Sequence, residues 1–424
     1  MLIQRVFNSR LRSEMLMRKL FGVVVMIAIA IGCYQWFEQN ADTDWKQQVT
    51  ATIQETVDET ALLIKDGLKV DSASSSSNEG QEKLSSDDSE RVVQYIADEL
   101  ANGRTEIAMT IRGNGDDIQN QFASWLQQAM DVDDYVKYTM ESYSYSMSSG
   151  LLRSEVTIKV VYRESHEMSA EVTSYVNQVI DVLELDQYSQ FEQVKLIHDW
   201  IVTHVQYDQS LTKYTAYEAI TEGTTVCQGY ALLGYRFFSE AGFDVRIVEG
   251  SVNTGEHAWN LVKIDGQWYQ IDLTWDDPIG QAEDEVSYKY YLISDAQLAQ
   301  DHVWEANYPV ATMSYQQLLN EQLVTADPNS EAYTAIQQTR EQLGYHMEDS
   351  SNTIENYDQL KSTVKSAVSK GETEIQFRYT GGTQLVDDTN KAFKSLNKSL
   401  SYRISYQEWN KAGDLLVTIT IEYK

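Results

Sequence analysis

The chain has 424 residues, a mass of 48.5 kDa and 42% hydrophobic residues, enough for two to four domains with packed cores. Its 64 acidic and 33 basic residues give a formal net charge of −31. This balance argues against nucleic acid or anionic lipid as a partner, because both bind basic surfaces.

The N-terminus predicts a membrane anchor. A basic stretch, 1–19, precedes the charge-free run 20–37, which is long enough to span a bilayer. The basic flank should remain in the cytoplasm, so this reading predicts a single-pass protein of the cell membrane with the bulk of the chain extracytoplasmic. A cleaved signal is an alternative. A third is lipidation at Cys33, because "AIGC" resembles a bacterial lipoprotein box.

Residues 38–90 predict a stalk and a flexible linker. The first part has scattered helical spacing, and the second part, 71–90, is rich in serine and acidic residues. Such a composition cannot bury enough apolar surface to hold a fold.

An internal repeat predicts two small α+β modules, 91–168 and 357–424. Gly103 aligns with Gly371, and each glycine is followed by a Thr-Glu-Ile triplet. Each copy has an apolar stripe at helical spacing before the glycine and an alternating strand pattern after it. A further helix, 116–130 or 386–399, and two more strands follow in both. Neither copy carries a cysteine or a phosphate-binding loop, which favours docking or spacing over chemistry.

The central region, 169–312, has a different composition. It holds Cys227, four of the six histidines and most of the tryptophans. The segment 313–356 is predicted to be a helical connector to the second module. Any chemistry is therefore expected in the central region.

Cys227 opens a predicted helix, which Gly242 should end and which Thr224 or Thr225 should cap. Unpaired backbone N–H groups and the positive dipole end at that position favour a thiolate. Because Cys33 lies in or at the membrane, Cys227 has no partner for a disulfide. A lone exported thiol is either a buried small hydrophobe or a reactive group.

A hairpin is predicted around Asp265-Gly266, the strongest short signal for a two-residue turn. If Ile264 pairs with Gln267, His257 and Asp272 lie on one face as diagonal neighbours about 7 to 8 Å apart. A carboxylate on one imidazole nitrogen would leave the other nitrogen to take a proton from a thiol. Each residue could instead be an ordinary structural group, but the combination favours chemistry.

A metal site is not expected, because no C-x-x-C or H-x-x-x-H spacing occurs near Cys227. His198 and His204 are six residues apart and should lie on different helical faces. His302, in "DHVWE", has no evident partner in the sequence. All three histidines are interpreted as structural or surface groups.

Three motifs between about 190 and 310 resemble the bacterial transglutaminase-like superfamily: "IHDWIVTHVQYD", "VCQGYALLGYRFF" and "HAWNLVKIDGQWYQIDLTWDDP". The resemblance implies that the central region is a papain-like α+β domain. The two modules that flank this domain, and the N-terminal transmembrane helix, lie outside the resemblance. It also implies a Cys-His-Asp triad of Cys227, His257 and Asp272, the same residues that the helix start and the hairpin register single out.

The resemblance further implies a cysteine peptidase or acyltransferase acting on amides of proteins or of peptidoglycan peptides. It implies no metal and no cofactor, and it does not indicate an oligomeric state. The alternative is a non-catalytic cell-envelope binding or assembly protein. These two hypotheses differ in the predicted reactivity of Cys227.

Overall fold

The computed structural model describes residues 84–277, 286–305, 307–409 and 413–423, which belong to one compact unit. None of the helices in these ranges is both long and apolar enough to cross a bilayer. The predicted anchor, 20–37, lies outside the described residues.

Residues 84–162 form a four-stranded sheet packed against helices. The elements are β1 (Leu84–Ser85), α1 (Ser89–Ala101), β2 (Glu106–Arg112), α2 (Gly115–Met130), α3 (Asp134–Thr139), β3 (Met140–Ser149) and β4 (Arg153–Tyr162). The strand order is β1-β2-β4-β3, with β1 parallel to β2 and the other pairs antiparallel. Alternate residues of β2, namely Ile107, Met109 and Ile111, are buried, which confirms the predicted strand pattern.

The central region contains a second four-stranded sheet. Its elements are α4 (His166–Leu183), α5 (Gln190–His204), β5 (Gln206–Tyr207), α6 (Ala216–Glu222), β6 (Thr224–Thr225), α7 (Cys227–Glu240), β7 (Val245–Val252), β8 (Gly255–Ile264), β9 (Gln267–Ile271), α8 (Asp295–Leu298) and β10 (Val303–Trp304). The order β10-β7-β8-β9 is antiparallel throughout, and β5 and β6 form a separate short parallel pair.

Helix α7 runs through the main core of the central region. Its buried residues include Tyr230, Leu233, Phe237 and Phe238, which pack in one cluster with apolar residues of β7, β8 and β9. Gly242 follows the helix with φ +85°, as the sequence predicted for its C-terminal end. Burial of this apolar face holds the start of α7 against the sheet.

The C-terminal part contains a third four-stranded sheet. Its elements are α9 (Tyr315–Thr325), α10 (Glu331–Gln342), β11 (Thr353–Ile354), α11 (Tyr357–Lys370), β12 (Glu374–Tyr379), α12 (Leu385–Lys394), β13 (Leu400–Glu408) and β14 (Leu415–Tyr423). The order β11-β12-β14-β13 and the strand directions are those of the first sheet.

Two details bear on the predicted elements of the outer segments. Gly103 and Gly371 follow α1 and α11 with φ of +67° and +77°, so both take the left-handed conformation that glycine favours. The helix predicted over 386–399 is shorter in the structure and ends at Lys394. Asn397 has φ +49°, which turns the chain towards β13.

Candidate active site

Cys227 is the first residue of α7 and is half-buried. The predicted threonine cap is wrong, because Val226 occupies the N-cap position and makes no side-chain cap. The Thr225 hydroxyl instead donates to the Lys213 carbonyl, and Thr224 accepts from the Lys213 ammonium. The N–H groups of Gly229 and Tyr230 donate to the carbonyl of Val226, so within the first turn only those of Cys227 and Gln228 have no intrahelical acceptor.

Two glycines bring α7 close to its neighbours. A Cβ on Gly229 would lie 1.8 Å from Thr225 Oγ1. A Cβ on Gly234 would lie 2.5 Å from Asn260 Oδ1 and 2.6 Å from Leu273 Cδ1, both on or just after the hairpin. The helix that begins at Cys227 therefore packs directly against the hairpin, a meeting that the sequence motifs alone did not establish.

The hairpin β8–β9 has the register predicted from its turn. Asp265 and Gly266 have φ of +49° and +80°, and Ile264 pairs with Gln267. The ladder ends where Asn260 pairs with Ile271, so His257 and Asp272 lie just beyond the paired residues of the hairpin. The chain turns there because the backbone N–H groups after Asp272 donate to its own carboxylate.

His257 and Asp272 meet as predicted. The Nε2 atom of His257 lies 2.7 Å from Oδ2 of Asp272, and both side chains are buried. The second oxygen, Oδ1, accepts from the backbone N–H groups of Thr274 and Trp275 at 3.0 and 3.2 Å. Burial opposes the ionised carboxylate, but the charge and hydrogen bond of His257, together with those of His302, outweigh it and lower the pKa of Asp272 to about 2.

The Cys227 thiol lies close enough to the imidazole of His257 to influence its pKa. Because Nε2 is occupied by Asp272, Nδ1 is the nitrogen left for the sulfur. Burial alone would lower the pKa of His257, but the Asp272 charge and the contact with Cys227 outweigh it and raise the pKa to about 10.

Tyr207 is a further group near the sulfur. Its strand β5 pairs with β6 so that Tyr207 lies opposite Thr225, two residues before Cys227. Burial raises the pKa of the Tyr207 phenol, and the negative charge of a Cys227 thiolate raises it further. The phenol therefore belongs to the immediate surroundings of the thiol.

His302 is a buried partner of Asp272 that sequence reasoning missed. Its Nε2 lies 3.1 Å from Oδ2 of Asp272, and its Nδ1 lies 2.7 Å from Oδ1 of Asp301. The interpretation of His302 as a group without an evident partner is wrong. The only signal in the sequence was its position between an aspartate and an aromatic motif.

His198 has a structural position, as the sequence suggested. It is fully buried, with Nδ1 3.0 Å from Oδ1 of Asp199 and Nε2 3.1 Å from Oδ2 of Asp276. These contacts join α5 to the turn that comes after β9. His204 is exposed and stacks on Trp200 at a ring distance of 4.4 Å.

The ligand atoms of His257, Asp272 and His302 lie within 4.8 Å of one another, a spacing that could suit a metal ion. Both Nε2 atoms, however, point at the same oxygen of Asp272 at hydrogen-bond distances of 2.7 and 3.1 Å. Hydrogen bonds account for the arrangement, so we treat the three residues as a hydrogen-bonded network.

The first sheet segment also reaches the site. Gln228, the neighbour of Cys227, donates from Nε2 to the carbonyl of Tyr138 at 2.6 Å. The Tyr138 hydroxyl lies 3.2 Å from Oε2 of Glu249 on β7. The end of α3 is therefore hydrogen-bonded to the first turn of α7.

Comparison with known proteins identifies the central region. Residues 177–273 match the family model of the Transglutaminase-like superfamily, a range that contains Cys227, His257 and Asp272 but not His302. This chain contains a transglutaminase-like domain. The match covers the core of the central region and leaves out the first and third sheets.

The chain also resembles part of a curated peptidase. Kyphoscoliosis peptidase of Mus musculus is 26% identical over 155 residues, which are 32% of this chain and 23% of that protein. The Homo sapiens protein is 28% identical over 120 residues, 24% of this chain and 18% of that protein. The chain thus spans less than a quarter of the length of these relatives.

Two solved structures resemble part of the chain. A crystal structure of a TGase is 15% identical with a TM-score of 0.25, covering 43% of this chain and 55% of that chain. A candidate cysteine protease from Cytophaga hutchinsonii is 17% identical with a TM-score of 0.22, covering 32% and 65%. Scores this low carry no argument, so the chemistry is inferred from the residues of the site.

Proposed function

We propose that the chain is a thiol-dependent acyl transferase or hydrolase that acts on amides of proteins or of cell-wall peptides. The observation that carries this proposal is the arrangement of three side chains. Cys227 opens a helix and contacts His257, whose other nitrogen lies 2.7 Å from Asp272. In the proposed reaction Cys227 is the nucleophile, His257 the acid and base, and Asp272 the group that orients the imidazole.

In the first half-reaction, the Cys227 thiolate attacks the carbonyl carbon of the amide, and the carbonyl electron pair moves to oxygen. The backbone N–H of Cys227, at the first position of α7, is a donor for this oxyanion. As the C–N bond breaks, the imidazolium of His257 gives the proton on Nδ1 to the leaving amine. A thioester and a neutral imidazole remain.

In the second half-reaction, water or a primary amine attacks the thioester carbon and gives a proton to His257. The C–S bond breaks, and the thiolate and the imidazolium are restored. Water yields a carboxylic acid, and an amine yields a new amide. Asp272 remains ionised and hydrogen-bonded to Nε2 of His257 throughout, in keeping with its pKa of about 2.

We also propose that the site lies outside the cytoplasm. The support is the sequence of the N-terminus, in which the basic stretch 1–19 precedes the uncharged run 20–37. An anchor in that position would tether the domain to the membrane through the segment 38–90. Amides of envelope proteins or of peptidoglycan peptides would then be the substrates within reach.

The two outer segments, 91–168 and 357–424, are proposed to be copies of one module that docks other envelope components or the substrate. The shared strand order of their sheets supports this reading. So does the matching position of Gly103 and Gly371 after the first long helix of each segment.

The test is the reactivity of Cys227 towards iodoacetamide as a function of pH, in a Cys33→Ser background that leaves one thiol. A thiolate–imidazolium pair predicts alkylation at pH 5–6, well below the ordinary thiol range near 8.5. Cys227→Ala should show no labelling and no turnover of amide substrates.

The matched control is His257→Gln, which should keep the thiol but lose its low-pH reactivity. A wild-type thiol that reacts only above pH 8, or amide turnover by Cys227→Ala, would contradict the proposal. The first result would favour a non-catalytic binding protein instead.

A further inference from the structure

His302 is held directly behind Asp272 by the backbone around it. Its N–H donates to the Leu298 carbonyl at 3.0 Å, which fixes it to the end of α8. The next two residues form β10, in which Trp304 pairs with Gly250 on β7. Gly250 in turn pairs with His257 on β8. Strands β10 and β8, which lie on the two sides of β7 in one sheet, therefore position both imidazoles.

The surroundings of His302 exclude water. The side chain is 1% exposed. Its ring lies 4.6 Å from that of Trp275, 5.1 Å from that of Trp259 and 5.6 Å from that of Tyr290, between centroids. If a substitution removes the N–H donor of His302, water cannot take its place unless these aromatic rings move apart.

Both nitrogens of His302 face carboxylate oxygens. An ionised carboxylate only accepts hydrogen bonds, whereas a neutral imidazole has one donor. The contact of 3.1 Å with Asp272 and the contact of 2.7 Å with Asp301 therefore call for an N–H on each nitrogen. The titratable groups that face the ring are these two aspartates, His257 and Tyr290, whose hydroxyl lies 2.9 Å from Asp301.

The hydrogen bonds of Asp272 are complete only when His302 is included. Oδ1 accepts two backbone N–H groups, and Oδ2 accepts the two imidazoles. Four donors from three directions fix both the position and the rotation of the carboxylate. Without His302, Oδ2 would keep only the bond to His257, the group that must itself be held in place.

We propose that His302 is a positioning residue that fixes the Asp272 carboxylate so that it holds His257 towards Cys227. The inference rests on the proposed function, because it assigns His302 a role in the reactivity of the thiol. His302 touches neither the sulfur nor the acyl group in this role. It acts through Asp272 alone.

The experiment compares two substitutions of His302 in the full chain with the Cys33→Ser background. His302→Gln keeps an N–H donor that can reach Asp272. His302→Phe keeps an aromatic ring, which suits the surrounding aromatic side chains, but it has no hydrogen-bond donor. A purely structural role favours Phe over Gln, whereas a positioning role favours Gln over Phe.

The readout is the alkylation rate of Cys227 by iodoacetamide between pH 4 and 10, on samples whose circular dichroism matches the wild type. His302→Phe should react at least about tenfold more slowly at pH 5–6, because a buried acceptor loses its donor. The acidic limb of its rate–pH profile should shift to higher pH by about one pH unit. His302→Gln should retain most of the wild-type rate.

Asp301→Asn is a second variant for the case in which the Phe variant does not fold. It removes the second carboxylate while leaving His302 in place, and Asp301 lies nearer the surface, with 19% of its side chain exposed. The acidic limb of its rate–pH profile is expected to shift to higher pH by less than in His302→Phe.

Each outcome separates this inference from the proposed function. A wild-type thiol without low-pH reactivity overturns both. A reactive wild-type thiol with an unchanged profile in His302→Phe, or in Asp301→Asn if Phe does not fold, overturns the inference alone. A Phe variant that equals or exceeds the Gln variant also overturns it.

Discussion

The amide of Asn260 donates from Nδ2 to the carbonyl of Ala231 at 3.0 Å. This buried bond joins the hairpin strand that carries His257 to the helix that begins at Cys227. It lies beside the apolar contacts between the helix and the hairpin.

Replacing Asn260 with alanine should loosen this tie. The variant loses a buried hydrogen bond and should be less stable by about 1–3 kcal/mol. Urea denaturation measures the change. Lys263→Ala on the same strand is the matched control, because its ion pair with Asp244 lies at the surface and should contribute less than about 1 kcal/mol. Equal effects of the two substitutions would contradict the role given to Asn260.

Gly234→Ala tests the close packing of helix and hairpin. The added methyl would lie 2.5 Å from Asn260 and 2.6 Å from Leu273, so either these buried side chains or the helix must shift. A loss of about 1–3 kcal/mol is expected on thermal or urea denaturation, despite the better helix propensity of alanine. Ser239→Ala, at an exposed position of the same helix, should be nearly neutral. A neutral Gly234→Ala would show that this contact is not close in solution.

The stability of the folded chain should decrease at alkaline pH. The pKa of His257 is raised to about 10, and that of His198 is raised by its two aspartates in spite of burial. Their protonated forms therefore contribute stability that is fully present below the unfolded value of about 6.5. This contribution is lost as the pH rises through the folded values.

Urea denaturation between pH 6 and 10 measures this dependence. His257→Gln should flatten it, whereas His204→Gln, at an exposed histidine, should not. A stability that rises over this range in the wild-type chain would contradict the assignment. At the acid end, the lowered pKa of Asp272 predicts a separate loss of stability as the pH falls from about 4 towards 2.

A buried carboxylate joins the first sheet segment to the central region. Asp134 accepts from Arg246 in two hydrogen bonds of 2.7 and 3.0 Å and from the N–H of Ile247 at 2.8 Å. Asp134→Ala should destabilise the chain by about 1–3 kcal/mol, because a buried donor loses its acceptor. Asp131→Ala, which removes a surface pair with Lys137, should cost less than about 1 kcal/mol.

The same substitution has a second expected effect at the thiol. Asp134 begins α3, and Tyr138 near its end accepts the hydrogen bond from Gln228 beside Cys227. Displacement of α3 should therefore slow the alkylation of Cys227 in folded Asp134→Ala. An unchanged rate would show that the first segment stabilises the domain without influencing the thiol.

The local parts of the site could be predicted from the sequence. The turn at Asp265 and Gly266 sets the start of the register through its φ angles, and the register brings His257 to the side of Asp272. The start of α7 at Cys227 was predicted from apolar spacing. These features depend on residues that are close in the chain.

Features that depend on distant residues could not be predicted. His302 is 30 residues from Asp272, and only the fold brings them together. The missing cap of α7 has a similar origin, because the Thr225 hydroxyl is drawn to carbonyls of residues 213 and 215. In both cases the hydrogen-bond partner is not a near neighbour in the chain.

The turn after β9 has an imidazole on each side of it. His302 holds Asp272, and His198 holds Asp276 four residues later. Asp276 also accepts from the N–H of Tyr290 at 2.8 Å. The free energy needed to order the Asp272 carboxylate is thus provided once, when the chain folds. Each turnover would then begin from a preorganised site with little reorganisation left to do.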